Sequence, residues 1–120
     1  MNGKIKRGDM FYANLNEGIG SEQSGYRPIL IVQNNTGNKH SHTVIVAVIT
    51  SKIEGKTNLP THYVIKAQQG LEQNSLIMLE QIRTLDKARL KEYIGRLDKK
   101  TMEDVDKALA ISVGLRYIEL

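Results

Sequence analysis

The segment "TVIVAVIT", residues Thr43 to Thr50, decides the fold that the sequence predicts. Its six inner residues are apolar without any alternation, and β-branched residues dominate them, as is typical of a strand. A strand that is apolar at every position has both of its faces covered. We therefore expect residues 43–50 to form a central strand that is enclosed on both sides.

Further apolar segments lie before and after this strand, each bounded by turn-forming residues. The predicted strands are "GDMFYANL" (Gly8–Leu15), "PILIVQN" (Pro28–Asn34), "THYVIKA" (Thr61–Ala67), "SLIMLEQIRTL" (Ser75–Leu85) and "EYIGRL" (Glu92–Leu97). Glu80 and Gln81 interrupt the fourth of these segments, so we expect a break near Gln81. Residues 35–42, "NTGNKHSH", are predicted to be a turn-rich connection.

The C-terminal segment predicts a helix that begins after Asp98, a favourable N-cap residue. Asp86 is expected to cap a single helical turn, "DKARL", in the same way. Helical spacing places one set of apolar residues on a common face: Met102, Val105, Leu109 and Val113, with Ala108 and either Ile111 or Ser112 beside them. Arg116 near the end suits the helix dipole. Short strands followed by a helix predict a small, mostly antiparallel β barrel with helical cover.

The length and composition restrict the class of protein. A chain of 120 residues fits one domain over residues 1–120. The absence of cysteine excludes a disulfide scaffold and every thiolate site, and it fits a reducing, cytoplasmic compartment. No apolar run approaches the ~20 residues that span a membrane, and "MNGKIKRGD" lacks the apolar segment of a secretory signal.

The net charge of +4 is unevenly distributed. Residues 1–60 carry seven Lys and Arg against four Asp and Glu, whereas residues 61–120 carry ten against nine. The first half is therefore the expected contact surface for an anionic partner. Net charge alone does not establish nucleic-acid binding, because many basic proteins bind none.

The histidines do not predict a catalytic or metal site by their spacing. His40 and His42 would share one side of a strand, but a metal site needs further ligands, and a solvated loop is the simpler interpretation. His62 precedes a strand and is more typical of a strand end than of a general base. The sequence contains neither a Gly-rich phosphate loop nor the spacing of a Ser-His-Asp triad.

Arg27 stands between a Gly-rich loop and the apolar segment that begins with Pro28, in "GSEQSGYRPILIVQN" (Gly20–Asn34). A residue before proline is held in extended geometry, and proline fixes the next φ angle, so this backbone is stiff. The planar guanidinium is suited to bidentate contact with phosphate. Two interpretations remain open on spacing alone: a positioned phosphate ligand, or a strand-end arginine that extends its charged end to water or pairs with Glu22.

Two further polar positions have alternative interpretations. Thr50 closes the central strand, where its hydroxyl either contacts a ligand at the barrel rim or merely reflects strand propensity. Glu80 must be paired or near the surface. The amide of Gln81 either contacts a nucleic-acid base or satisfies the backbone.

Five segments resemble the MazF/PemK toxins in the same order and at matching spacing. They are "KRGDMFYANL", "GSEQSGYRPILIVQN", "VIVAVITSKI", "LPTHYVI" and "SLIMLEQIRTLDKARL". The resemblance implies an SH3-like β barrel with a C-terminal helix, acting as a homodimer. It implies a toxin of a type II toxin–antitoxin system that is neutralised by an acidic MazE-type antitoxin.

The resemblance also implies the activity and its residues. The family cleaves single-stranded mRNA without metal or another cofactor, and it leaves a 2′,3′-cyclic phosphate and a 5′-OH. Arg27 and Thr50 match the catalytic arginine and threonine. Ser21, Glu22, Gln23 and Gln81 match positions that line or support the RNA site, and Ser51 and Lys52, which follow Thr50, are expected to contact RNA.

One departure from the family concerns the loop before "GSEQ". The family often has proline there, whereas this chain reads "LNEGIGSEQ", so Glu17 and Gly18 are expected to loosen the loop. Base preference is expected to depend on residues 16–26 and 51–58.

Two other functions are considered. A toxin of the same fold that poisons DNA gyrase by binding is the main alternative, but that group lacks the "GSEQ…RP" pattern. A barrel that binds RNA without cutting it is disfavoured by the composition, because one Phe, five Tyr and no Trp provide few stacking platforms.

Overall fold

The structure is a computed structural model that describes residues 4–53 and 59–115. Within these residues the chain forms six strands, two α-helices and a 3₁₀ turn (Lys87–Arg89). The elements are β1 (Asp9–Asn14), β2 (Tyr26–Ile31), α1 (Asn35–His40), β3 (Thr43–Thr50), β4 (His62–Ile65), β5 (Ser75–Asp86), β6 (Leu90–Arg96) and α2 (Lys99–Ser112).

The strands form one curled antiparallel sheet in the order β4-β5-β3-β2-β1-β6. Its curl brings the two edge strands near one another, because residues 63–68 and the end of β6 border the same cavity. Helix α2 packs against β4 and β5. The predicted mainly β, barrel-like fold with a C-terminal helix is confirmed in this half-barrel form.

The central position predicted for β3 is also confirmed. β3 pairs with β2 on one side and with β5 on the other, and residues 46–50 are buried. Its alternate side chains enter two core clusters. Val44, Val46 and Val48 pack inside the curl, whereas Ala47 and Ile49 pack on the face that α2 covers. Continuous apolar sequence is therefore needed over residues 46–49, where both faces are buried, whereas Ile45 nearer the start of the strand is 40% exposed.

The predicted bounds of β2, Pro28–Asn34, are wrong by two residues at the start and by three at the end, which is Ile31. The strand begins at Tyr26, and its first three residues pair with β1, whereas pairing with β3 begins at Ile29. One side of residues 26–28 therefore lacks a strand neighbour, the kind of position where a sheet tolerates proline. Arg27 accordingly lies within the strand.

The turn-rich connection predicted over residues 35–42 is wrong in part, because Asn35–His40 form helix α1. Its cap is the Asn34 side chain, whose Oδ1 accepts from the Gly37 N–H at 2.8 Å. Asn38 is fully buried, and its Nδ2 donates to Gln33 O at 2.9 Å. These side-chain bonds stabilise a helical turn in a sequence with poor helix propensity.

β5 continues through the predicted break and contains a bulge at that point. Val48 of β3 is opposite Met78, whereas the preceding Ala47 is opposite Ile82, so residues 79–81 are extra on the β5 side. Such bulges bend a strand and redirect its side chains. The polar residues Glu80 and Gln81 lie within this bulge.

The C-terminal helix begins as predicted, with Asp98 Oδ1 accepting from the Thr101 N–H at 2.8 Å. Met102, Val105 and Ala108 are buried against the sheet, but Val113 follows the last helical turn and is 48% exposed, so its predicted place on the buried face is wrong. Arg116 lies outside the described residues. Among the described helices, none is long and apolar enough to cross a membrane.

Candidate functional site

The pairing of β2 with β3 brings Arg27 and Thr50 to the same end of the sheet. Ile29 is opposite Val48, and both are fully buried inside the curl. Extending this antiparallel register by two residues sets Arg27 opposite Thr50 on the same face. The ladder ends at Ile29, and a cavity of about 500 Å³ opens beyond it, bordered by both residues. We call this space the Thr50 cavity.

Arg27 is half-buried and is positioned by its own loop. Its Nε donates to Ser24 O at 2.9 Å, which leaves the four N–H groups of the terminal nitrogens for other acceptors. In the described part of the chain no carboxylate lies within ion-pair distance of Arg27. Glu22, the partner considered from the sequence, instead accepts from the Ile19 N–H at 2.8 Å. Arg27 is thus a cation available to an anionic ligand.

Thr50 is only 1% exposed and ends β3 at the border of the cavity. Its Oγ1 accepts from the Lys52 N–H at 3.1 Å, which fixes the position of the hydroxyl oxygen. Ser51 is exposed and also borders the Thr50 cavity. Lys52 is exposed but does not line the cavities described here, so of the residues expected after Thr50 only Ser51 joins this part of the site.

The second part of the site lies on the other side of Arg27. A cavity of about 440 Å³, here called the loop cavity, is bordered by Arg27, by Gln81 and by residues 20–24. The predicted residues Ser21, Glu22 and Gln23 therefore converge with Gln81 at Arg27. Base preference is also expected to depend on residues 51–58, of which the structure describes residues 51–53.

The loop that carries Ser21, Glu22 and Gln23 is hydrogen-bonded to β5 at the bulge and just after it. Gln81 Nε2 donates to Ser21 O at 3.3 Å, and Arg83 Nη1 donates to Leu15 O at 2.9 Å. A Cβ on Gly18 would lie 2.8 Å from Glu22 O, so glycine permits the close approach of Glu22. The loop therefore forms a turn with defined contacts, although it lacks the proline that the family often has before "GSEQ".

The sequence did not identify the partnership of His62 with Glu80. His62 Nε2 lies 2.8 Å from Glu80 Oε2, and Thr61 Oγ1 donates to Glu80 Oε1 at 2.9 Å. Both His62 and Glu80 border the loop cavity, together with Arg27. The expectation that Glu80 is paired or near the surface is confirmed, because Glu80 is both. A carboxylate within an apolar strand was the only indication of this pair in the sequence. The partner itself could not be identified, because it lies on another strand.

The described residues contain no group of three His, Asp or Glu side chains that could hold a metal ion. His40 and His42 are both exposed, at the end of α1 and just after it. The described site is therefore built from one free cation, hydroxyl and amide groups, and a histidine–carboxylate pair. Such groups suit binding and charge stabilisation of a phosphate ester.

Comparison with known proteins finds similar sequences over most of the chain. A family profile described as PemK-like, MazF-like toxin of type II toxin-antitoxin system matches residues 6–113. Endoribonuclease EndoA of Bacillus subtilis (strain 168) is 52% identical over 112 residues, which are 92% of this chain and 96% of that protein.

Solved structures of mycobacterial proteins are similar over most of the chain. An endoribonuclease in complex with its cognate antitoxin has a TM-score of 0.78 at 27% identity, over 95% of this chain and 99% of the other. An endoribonuclease structure has a TM-score of 0.77 at 26% identity, over 95% of both chains.

The Glu80 pair predicts a stability effect that depends on pH. Burial raises the pKa of Glu80, but hydrogen bonds from His62, the backbone and Thr61 outweigh it and hold the pKa below its ordinary 4.5. The stabilisation is therefore present above pH 4.5 and is lost as the pH falls through the folded-state pKa. Thermal unfolding of Glu80→Gln should show a lower melting temperature than wild type near neutral pH, with the difference shrinking in acid.

Glu103→Gln provides the matched control, because Glu103 is an exposed carboxylate on α2. Its melting temperature should differ little from wild type at every pH. A Glu80→Gln difference that stays constant from about pH 7 to about pH 3 would contradict the assigned pair.

Proposed function

Because the chain belongs to the PemK-like, MazF-like toxins of type II toxin–antitoxin systems, we propose that it is a sequence-specific endoribonuclease that cleaves single-stranded mRNA. The observation that carries this proposal is the convergence of Arg27 and Thr50 on one cavity, with the "GSEQ" loop and Gln81 on the other side of Arg27. The endoribonuclease names of its relatives support the same activity.

RNA supplies its own nucleophile, so the enzyme need only align the 2′-OH and stabilise the phosphate. In the proposed reaction the 2′-oxygen attacks the adjacent phosphorus and the bond from phosphorus to the 5′-oxygen breaks. The proton of the 2′-OH is removed, and the leaving oxygen takes up a proton. The products are a 2′,3′-cyclic phosphate and a 5′-OH, and no metal is needed.

Arg27 stabilises the negative charge that develops on the non-bridging oxygens. Its terminal N–H groups are free of carboxylates in the described residues, so the full charge is available to the phosphate. Arginine stays protonated in proteins, which makes it an electrostatic group rather than a base. The Thr50 hydroxyl, fixed by the Lys52 N–H, donates its hydrogen to a phosphate oxygen.

His62 is the residue that we assign to proton transfer. It borders the same cavity as Arg27, and its ring is oriented by Glu80 through Nε2. Histidine is the side chain that most often serves as a general acid or base. The interpretation of His62 as a plain strand-end residue is therefore replaced here by a catalytic proposal.

The proposed biological setting follows from the family. The toxin acts as a homodimer in the cytoplasm, where it cleaves mRNA and inhibits translation and growth. A MazE-type antitoxin neutralises it. The mycobacterial endoribonuclease solved with its cognate antitoxin supports this partnership.

The nature of the ends tests the reaction. The protein, incubated with a long single-stranded RNA in EDTA, should cut at a short recurrent motif and leave 2′,3′-cyclic phosphate and 5′-OH ends. Sequencing of the ends maps the motif, and an oligonucleotide with a 2′-deoxy sugar at the cleaved position should bind without being cut. Loss of cleavage in EDTA, or 3′-OH products, would overturn the mechanism. Capture of DNA gyrase without RNA cleavage would favour the gyrase-binding alternative.

Replacing Arg27 tests the electrostatic role. Arg27→Ala should fold normally and lose about 10²- to 10³-fold in kcat, the usual effect of losing a donor that stabilises transition-state charge. Arg27→Lys should retain part of the rate, because it keeps a charge but loses the planar fork. Arg89→Ala is the matched control, since Arg89 lies in the 3₁₀ turn and borders neither cavity. Arg27→Ala activity within a few-fold of wild type would exclude this role.

Replacing His62 tests the proton carrier. His62→Gln should lower kcat by about 10²- to 10⁴-fold with little change in KM, and the pH–rate profile should lose one of its limbs. His42→Gln is the control, because His42 is exposed before β3, at the end opposite Thr50. An unchanged pH–rate profile in a folded His62→Gln variant would assign the proton transfer to another group.

A further inference from the structure

The proposed reaction does not use the aromatic pair that borders the Thr50 cavity. Tyr12 of β1 and Tyr26 of β2 are diagonal neighbours across the two strands, because Tyr12 is opposite Pro28 and Tyr26 is opposite Asn14. Their rings are stacked, with centroids 5.3 Å apart and planes within 3° of parallel. Both rings border the cavity that holds Arg27 and Thr50.

Hydrogen bonds at the outer ends of both rings hold the pair in place. Tyr12 Oη donates to Gly70 O at 3.2 Å, and Tyr26 Oη donates to Glu92 on β6. Stacking therefore joins two rings that are already fixed at their hydroxyl groups. The pair is a rigid surface, and a ligand that stacks on it loses little binding energy to ordering of the protein.

Tyr26 presents an open surface next to the reacting phosphate. It is 53% exposed although Tyr12 covers one face of its ring, so the exposed surface includes the opposite face. It also directly precedes Arg27, and alternation along β2 points the two side chains to opposite faces of the sheet. An RNA strand with a phosphate at Arg27 passes over the strand end, where an adjacent base meets the Tyr26 ring.

We propose that Tyr26, backed by Tyr12, is the stacking platform for one RNA base that flanks the scissile phosphate, on the side opposite the loop cavity. The proposal rests on the endoribonuclease activity proposed above and extends it to a specific subsite. The cavity volume of about 500 Å³ accommodates a nucleoside. Stacking tolerates any base, so this subsite contributes affinity and alignment. The exposed side chains of Gln73 and Glu72 at its border offer hydrogen-bonding partners for the edge of the stacked base.

The test measures binding of an RNA oligonucleotide that carries the mapped cleavage motif and a 2′-deoxy sugar at the cleaved position. Two further versions lack the base on one or the other side of the scissile phosphate. For wild type, one of these abasic versions should bind about 5- to 150-fold more weakly than the intact oligonucleotide, the range measured for base–aromatic stacking. The Tyr26→Ala variant should bind the intact oligonucleotide about 5- to 150-fold more weakly than wild type does. Removing the same base should not weaken the binding of this variant any further.

Two matched variants separate stacking from other roles of the ring. Tyr26→Phe retains the aromatic face and loses only the bond to Glu92, so it should bind as wild type does. Tyr26→Leu retains apolar surface without a flat ring, so it should behave like Tyr26→Ala. Thermal unfolding and oligomeric state of each variant are measured beside the affinities, and both should match wild type.

The outcomes distinguish this proposal from the proposed function. If wild type neither binds nor cuts RNA, the proposed function itself fails. If wild type cuts RNA but Tyr26→Ala binds the intact oligonucleotide normally, only the stacking subsite is excluded. If Tyr26→Ala lowers the affinity for the intact and the abasic oligonucleotides by the same factor, stacking is also excluded. A changed oligomeric state would assign Tyr26 to contacts between copies of the chain instead.

Discussion

The site depends on the register between β2 and β3. Ile29 opposite Val48 is fixed by burial, because both side chains are fully enclosed and a slip by one residue would turn each toward the opposite face of the sheet. That same register places Arg27 and Thr50, each two residues further, at one end and on one face. Core packing thus sets the backbone positions of these two residues, and local hydrogen bonds then hold their side chains.

The bulge in β5 completes the site on the other side of Arg27. Three extra residues between Met78 and Ile82 turn this part of the strand outward, so that Glu80 and Gln81 meet the loop cavity instead of a neighbouring strand. Gln81 then bonds the loop at Ser21, and Glu80 bonds His62 on β4. A regular strand would direct alternate residues into the core, where an unpaired carboxylate is costly.

The sequence predicted the features that depend on local pattern. The continuous apolar character of residues 43–50 identified the central strand with its bounds, and Asp98 identified the start of α2. Features that depend on long-range contacts were not predictable. Helix α1 is stabilised by a buried amide that bonds Gln33, His62 meets Glu80 across two strands, and Tyr12 stacks on Tyr26 only because of the β1–β2 register. The small number of aromatic residues disfavoured stacking, but a count does not show that two of them lie beside Arg27.

Hydrogen bonding determines how the acidic residues are arranged around the proposed phosphate site. Glu22 and Glu80 both border the loop cavity, where a carboxylate without hydrogen-bond donors from the protein would repel RNA. Each is occupied by donors from the protein: Glu22 by the Ile19 N–H, and Glu80 by Thr61 and His62. Arg27 has no such partner in the described residues, because its one intramolecular bond goes to a neutral carbonyl. A phosphate at Arg27 would therefore meet an unpaired guanidinium, whereas the carboxylates of Glu22 and Glu80 keep their negative charge but are directed toward donors of the protein.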